Sequence, residues 1–245
     1  FATAAITVND ALADRLVGLG VHRDKVTVIL NSPSLARFDP TAYPQRDWCA
    51  DGSLRIAYTG ALTPVYELDV VIAALDRLRT LRPELAVGLD LFGRGDARVG
   101  LEARAAEFGL ADRVTFHGRI PLEDVPAAIA GADIGIAPTR RDPFTDLSLS
   151  TKIFEYAAMG KPIVASRLPM VERTFPAGSI QCYEPGDPDD LARTILAIVD
   201  DPAGRAASVR RATIALQDLS WEREADRLVA LVDRLATADS LSSAP

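Results

Sequence analysis

The chain has 245 residues, 48% of them apolar and 25% charged, with a formal net charge of -7. That balance supplies the core of one large domain or two small ones, and the negative charge argues against a nucleic-acid surface. Two cysteines (Cys49, Cys182) and two histidines (His22, His117) are too few for a disulfide framework or a His-based metal site, no apolar run approaches the about 20 residues of a membrane span, and no signal-peptide pattern opens the chain, so a cytoplasmic location is expected and no metal.

Residues 4–8 read as a short apolar strand, Asn9 as the cap of a helix to about Gly18, and 26–30 as a second strand. The polar stretch 43–53 reads as a linker or surface loop. Strands are then expected at 54–59, 85–92, 114–116, 134–137, 163–165 and 179–183. Helices are expected at 67–81, 98–108, 122–130, 187–200, 203–217 and 220–236, with a small polar tail, read as disordered, at 238–245. Strand and helix alternate from 54 to 200, which predicts an α/β fold with a doubly wound, Rossmann-like parallel sheet and right-handed crossovers. Such sheets bind ligands at the carboxyl ends of their strands, where Gly60, Gly93, Gly95, Gly118 and the loop 138–150 fall. Gly93-Arg94-Gly95 follows a strand, but the next glycine is Gly100, two places late for a dinucleotide fingerprint, and no acidic residue ends the following strand.

The stretch at 147–166, LSLSTKIFEYAAMGKPIVAS, is the most informative. Ser150 or Thr151 is a natural N-cap, Gly160 and Pro162 stop the helix, and Ile163-Val164-Ala165 is a buried parallel strand. Lys152 and Glu155 lie three apart on one face, and Glu155 is too deep to close a capping box. One reading of the pair is a surface salt bridge. The other is a helix N-terminus that receives an anion, with Lys152 adding charge and Glu155 gripping a ribose diol. In the same spirit, His117 either donates to a phosphate or caps the sheet edge. Arg119 counts as further positive charge at that edge, and Arg140 and Arg141 as a pyrophosphate clamp with Lys152 or as solvated surface.

K-I-F-E-Y-A-A-M-G-K-P-I-V-A-S resembles the donor-site helix of GT-B glycosyltransferases, in particular the retaining family 4, where the glutamate matched by Glu155 holds the ribose of a nucleotide-sugar. The resemblance covers nearly the whole chain. It implies the C-terminal half of a GT-B fold and a hexosyltransferase that moves a sugar from a nucleoside diphosphate to an acceptor hydroxyl with retention and without a bound metal. The acceptor expected is a glycan or lipid-linked glycan. Residues 1–40 then resemble the end of an acceptor domain and its hinge, 41–218 the nucleotide-sugar-binding domain, and 219–237 the C-terminal helix that crosses back. On that reading an N-terminal half is missing, and with it any peripheral membrane attachment and the activity of this chain alone. Donor-binding residues implied are Gly60, Gly93, Gly95, His117, Arg140, Arg141, Thr151, Lys152 and Glu155.

Two family features are absent. The usual G-R-L followed by K-G is replaced by Gly60-Ala61-Leu62 and Tyr66-Glu67, without either charge. The E-x7-E pattern has Leu147 in place of its first glutamate, which leaves Asp142 or Asp146 as candidates for that role and the catalytic residue unknown. These losses keep open a non-catalytic nucleotide-sugar-binding module, and another GT-B chemistry such as a nucleotide-sugar epimerase.

Overall fold

The computed structural model describes residues 2–242, with side chains through Thr237. Strands β1 (Ala5–Thr7) and β2 (Val26–Val28) pair in parallel as a small separate sheet, bridged by α1 (Asp10–Gly18), whose first turn Asn9 caps by accepting from the Leu12 N–H. Six further strands form one parallel sheet: β3 (Ser53–Thr59), β4 (Ala86–Phe92), β5 (Val114–Gly118), β6 (Ile134–Ala137), β7 (Ile163–Ser166) and β8 (Gln181–Tyr183). Their order is β5-β4-β3-β6-β7-β8, so the direction of winding reverses between β3 and β6. At that reversal the helices leave opposite faces and a crevice opens at the carboxyl ends of the strands.

The helices that follow are α2 (Leu68–Leu81), α3 (Arg98–Glu107), α4 (Val125–Ala130), α5 (Thr151–Ala158), α6 (Pro169–Thr174), α7 (Pro188–Asp200), α8 (Pro202–Leu216) and α9 (Trp221–Ser242). The central strands β3, β6 and β7 are buried on both faces, and their alternate residues serve different cores, whereas the edge strand β5 exposes Thr115 and His117. Leu54, Ile56 and Tyr58 of β3, with Ile134, Ile136 and Val164, join α2, α3 and α7. Ala137, Ile163 and Ala165 join α4, α5, α6 and α8.

The expected doubly wound sheet is present. Three local readings need correction. The stretch after β7 contains the short helix α6, which begins at Pro169 and was not expected. The helix expected from residue 122 opens as a 3-10 turn and becomes α-helical only at Val125. Helix α9 continues to Ser242, into the stretch read as a disordered tail; residues 243–245 of that tail lie outside the described residues. Within α9, Leu231 is buried while its neighbour Val232 is 55% exposed.

The linker before β3 is held by a buried carboxylate. Asp133, 3% exposed, accepts from Arg46 Nε at 3.2 Å, the Cys49 N–H at 2.9 Å and the Arg55 N–H at 2.7 Å. A second long-range tie joins the chain's early and late parts. The Leu30 N–H donates to Glu224 Oε2 at 2.9 Å, and Glu224 is fully buried at the start of α9. Replacing Asp133 by Ala leaves two N–H groups without their acceptor and the partly buried Arg46 guanidinium without its close carboxylate, with only the Ala50 carbonyl, the Ser53 oxygens and the exposed Asp51 remaining, so Asp133→Ala should cost about 3–5 kcal/mol of unfolding free energy in urea denaturation. A loss under about 1 kcal/mol would mean that water or the loop itself can replace the carboxylate.

Candidate functional site

The crevice holds a cavity of about 490 Å³ between the carboxyl ends of β3, β4 and β5 and the first turns of α5. Its floor is backbone. Gly60 has φ 151, and a Cβ there would lie 2.4 Å from Lys152 Cε; a Cβ on Gly93 would lie 1.7 Å from the Gly60 carbonyl oxygen. Only glycine at both places lets the β3 and β4 turns touch main chain to main chain, joined by the Gly60 N–H to Phe92 O at 2.9 Å.

One wall is the start of α5. Ser150 occupies the N-cap position with extended geometry (φ -72, ψ 123), but its hydroxyl makes no capping bond, a correction to the expected cap. The first-turn N–H groups, with the positive end of the helix dipole, are therefore not covered by a capping side chain at the cavity margin. Thr151, Lys152 and Glu155 all line the cavity.

Lys152 is 6% exposed, and its Nζ lies 3.8 Å from the centroid of the Tyr66 ring and 5.0 Å from that of Tyr58. The ammonium is thus held over aromatic faces. Among the described residues it makes no ion pair within 4.0 Å, so the surface salt bridge with Glu155 does not form, although the two share a helix face. Burial lowers the Lys152 pKa to about 8, with Glu155 opposing the shift. Burial raises the Glu155 carboxyl above its usual range, with Lys152 opposing. Each is the other's nearby counter-charge without direct contact.

The remaining lining adds Thr59, Tyr66, Phe92 and Ile120, and two arginines, Arg94 and Arg119. Arg94 was read only as the middle of G-R-G, and Arg119 as a further charge outside the expected donor set. Each immediately follows the carboxyl end of a strand or its first glycine, which is the positional signal that points a side chain into such a crevice.

Of the expected donor residues, the cavity brings together Gly60, Gly93, Thr151, Lys152 and Glu155. It does not include Gly95, His117, Arg140 or Arg141. Gly95 is packed against the Leu62 carbonyl, which a Cβ would approach to 2.0 Å. His117 Nε2 lies 2.7 Å from Asp90 Oδ1, and its ring stacks on Phe92 at 4.2 Å, so it closes the sheet edge. Arg141 Nε pairs with Asp146 Oδ1 at 3.2 Å, a near neighbour in the same loop. The Arg140 N–H donates to Val65 O at 2.8 Å, and its side chain does not reach the cavity. The expected clamp of Arg140 and Arg141 with Lys152 is therefore not assembled. Asp142 Oδ1 accepts from the Phe144 and Thr145 N–H groups, both at 2.8 Å, so the candidate carboxylates of this loop are engaged in shaping it. A second, smaller cavity of about 180 Å³ adjoins the first across Tyr66 and is lined by Thr139, Ser148, Ser150 and Ser166 among others. Among the described residues, no group of three His, Cys, Asp or Glu side chains is placed to hold a metal ion, and no helix is long and apolar enough to cross a membrane.

A family model described as "Glycosyl transferases group 1" matches residues 53–201. Glycogen synthase of Mycobacterium tuberculosis is 29% identical over 226 residues, covering 90% of this chain and 50% of that protein. The GDP-mannose-dependent alpha-(1-6)-phosphatidylinositol monomannoside mannosyltransferase of Mycolicibacterium smegmatis is 31% identical over 175 residues, 70% of this chain and 45% of that protein. Among solved structures, Anabaena Alr3699/HepE in complex with UDP and glucose superposes with a TM-score of 0.79 at 20% identity, covering 96% of this chain and 64% of that one. The chain spans about half the length of the curated relatives it matches.

The buried ammonium has a stability signature. Lys152 is protonated in both folded and unfolded chains below pH 8, so the cost of burying it is present in full there. Between about 8 and the ordinary value of 10.5 the unfolded chain binds more protons, and stability rises with pH. Lys152→Met should therefore raise the unfolding free energy at neutral pH by up to about 3 kcal/mol, a gain that shrinks toward high pH. Urea titrations of both proteins at neutral pH and near pH 10 check this, and an equal difference at the two values would remove the buried charge as its cause.

Proposed function

The chain belongs to the group 1 glycosyl transferases and has the fold of the C-terminal, Rossmann-like half of a GT-B enzyme, and from that premise we propose that its upper cavity binds a nucleoside-diphosphate sugar whose sugar passes to an acceptor hydroxyl. The observation that carries this reading is the placement of Lys152 and Glu155, one turn apart on α5, inside a cavity whose floor is bare backbone. A diphosphate fits the helix start, where N–H groups, the dipole and the Lys152 ammonium act together. Glu155, set one turn deeper, accepts from the ribose hydroxyls. Arg94 and Arg119 add positive charge at the rim.

Lys152 also accounts for the missing basic residues of the β3 turn. Its ammonium rests on the ring of Tyr66, in the stretch where family 4 enzymes carry their lysine, so the charge reaches the same place from a neighbouring helix. As the sugar–phosphate bond breaks, negative charge grows on the departing diphosphate. Groups already fixed around it stabilise that charge without reorganising. Retention at the anomeric carbon follows from the resemblance to family 4, and the acceptor belongs to the part of the cleft that faces this wall.

A second reading, a nucleotide-sugar-binding module without transfer, is favoured by one observation. The position eight before Glu155 is Leu147, and the nearby carboxylates Asp142 and Asp146 are occupied by loop amides and Arg141. An assay of free nucleoside diphosphate release against a panel of sugars and acceptors, with the chain joined to a native N-terminal half, separates the two readings.

Two binding measurements test the site itself. Glu155→Gln should weaken nucleoside diphosphate binding by roughly 1–3 kcal/mol in calorimetry, the scale of a hydrogen bond to a charged group, with the thermal transition retained. Unchanged affinity would sink the ribose role.

Lys152→Met should lose more affinity for the diphosphate than for the nucleoside alone. In the parent chain, diphosphate affinity should fall as pH rises past about 8, where the free chain's ammonium gives up its proton, and the variant should lack that fall. Equal losses for nucleoside and diphosphate would point to a damaged helix.

A further inference from the structure

A third cavity lies at the opposite edge of the sheet. It has a volume of about 420 Å³ and sits where β6 and β7 begin, between the linker before β3 and the first turns of α8. Its lining contains four cations, Arg46, Lys161, Arg205 and Arg210, and one carboxylate, Asp133. Asp133 is matched to Arg46 at 3.2 Å. Among the described residues, Lys161, Arg205 and Arg210 form no ion pair. Three unmatched cations around one cavity are an unusual arrangement in a chain whose net charge is -7.

The three differ in how much hydrogen-bonding capacity they have spent. Lys161 is 6% exposed and donates from Nζ to the Ala130 carbonyl at 2.8 Å, which uses one of an ammonium's three N–H bonds. Arg205 lies over the Trp48 ring at 3.6 Å and donates from Nη1 to Ile198 O at 2.9 Å, leaving the other edge of its guanidinium available. Arg210 is exposed, and its side chain has no hydrogen-bond partner among the described residues. Stacking on Trp48 fixes the Arg205 plane, and a fixed guanidinium beside an ammonium suits a tetrahedral oxyanion. Bringing Lys161 into this setting has a cost: burial lowers its pKa to about 8, and the nearby Asp133, already paired with Arg46, opposes the shift only in part. An anion in the cavity would offset it.

We propose that this lower cavity is a second binding site, for the phosphate group of a small soluble molecule, separate from the cavity at the carboxyl ends of the strands. Helix α5 joins the two places, with Lys152 at its first turn and Lys161 just beyond its end.

Trp48 makes the site observable, because the chain has only two tryptophans and the other, Trp221, is on α9. In a Trp221→Phe chain, inorganic phosphate added at constant ionic strength should give a saturable change in Trp48 fluorescence. Arg210→Ala and Lys161→Met should each weaken it by roughly tenfold, the effect of losing one charge-assisted hydrogen bond. Lys152→Met, at the upper cavity, should leave this titration where it was. Thermal melts of each variant establish that it is folded, and phosphate should raise the parent's midpoint more than that of Arg210→Ala. No saturable change, an equal response to chloride, or an unaltered midpoint of the titration in folded Arg210→Ala would overturn the site. Sedimentation with vesicles containing phosphatidylinositol phosphate separates the source of the phosphate: binding to vesicles that inorganic phosphate does not displace would place the interaction on an outer surface and also overturn it.

Discussion

The position of helix α5 on the sheet is the constraint on which the upper site depends. Tyr156 sets it. The tyrosine is fully buried, its Oη accepts from the Thr59 N–H at 3.2 Å and donates to Ile136 O at 3.2 Å, and its ring lies flat on Gly135. A Cβ on Gly135 would come within 2.3 Å of the ring, so the helix can approach the sheet this closely only over a residue without a side chain. The ring satisfies polar groups at the ends of two adjacent strands while sealing the core between them. Sliding α5 along the sheet would leave an N–H and a carbonyl unpaired in an apolar interior. The helix start, with Thr151 and Lys152, is thereby fixed against the Gly60 and Gly93 turns.

Charge is handled differently at the two edges of the sheet. At the carboxyl edge, Lys152 and Glu155 are half of a pair that never closes, and the aromatic rings of Tyr66 and Tyr58 take the place of direct contact. At the amino edge, Asp133 closes one pair fully and leaves three cations outside it. Both arrangements keep ammonium groups at lowered pKa in cavities, and both depend on the surrounding backbone to hold them there. The first is organised by glycines that expose main chain, the second by a carboxylate that gathers it.

Much of this was readable from the sequence because strands and helices of a doubly wound sheet repeat with strong apolar periods. The runs 134–137 and 163–165 carry no polar side chain on either face, and 54–59 is broken only by Arg55 before its closing Thr59; at three to six residues each, bounded by turn residues, they fit buried parallel strands. Lys152 and Glu155 were legible because helical spacing alone puts them together. The arginines were not. Arg141 has Asp146 within its own loop, and a pairing five residues away costs less chain entropy than reaching across a cleft. The choice between the two readings of His117 stayed open because its partner, Asp90, sits on the neighbouring strand, a relation that only the sheet register reveals. Helix α6 escaped notice because six residues are too few to show a period.

The bond between the Leu30 N–H and Glu224 also orders events in time. It spans 194 positions, and the whole six-stranded sheet lies between its ends. On a growing chain, the donor emerges from the ribosome long before the acceptor exists, and every strand and crossover of the sheet is synthesised in the interval. Loop closure over such a distance is favourable only after the intervening chain has been compacted. The clasp therefore closes late in synthesis, and until α9 is made the Leu30 amide that follows β2 is left to water.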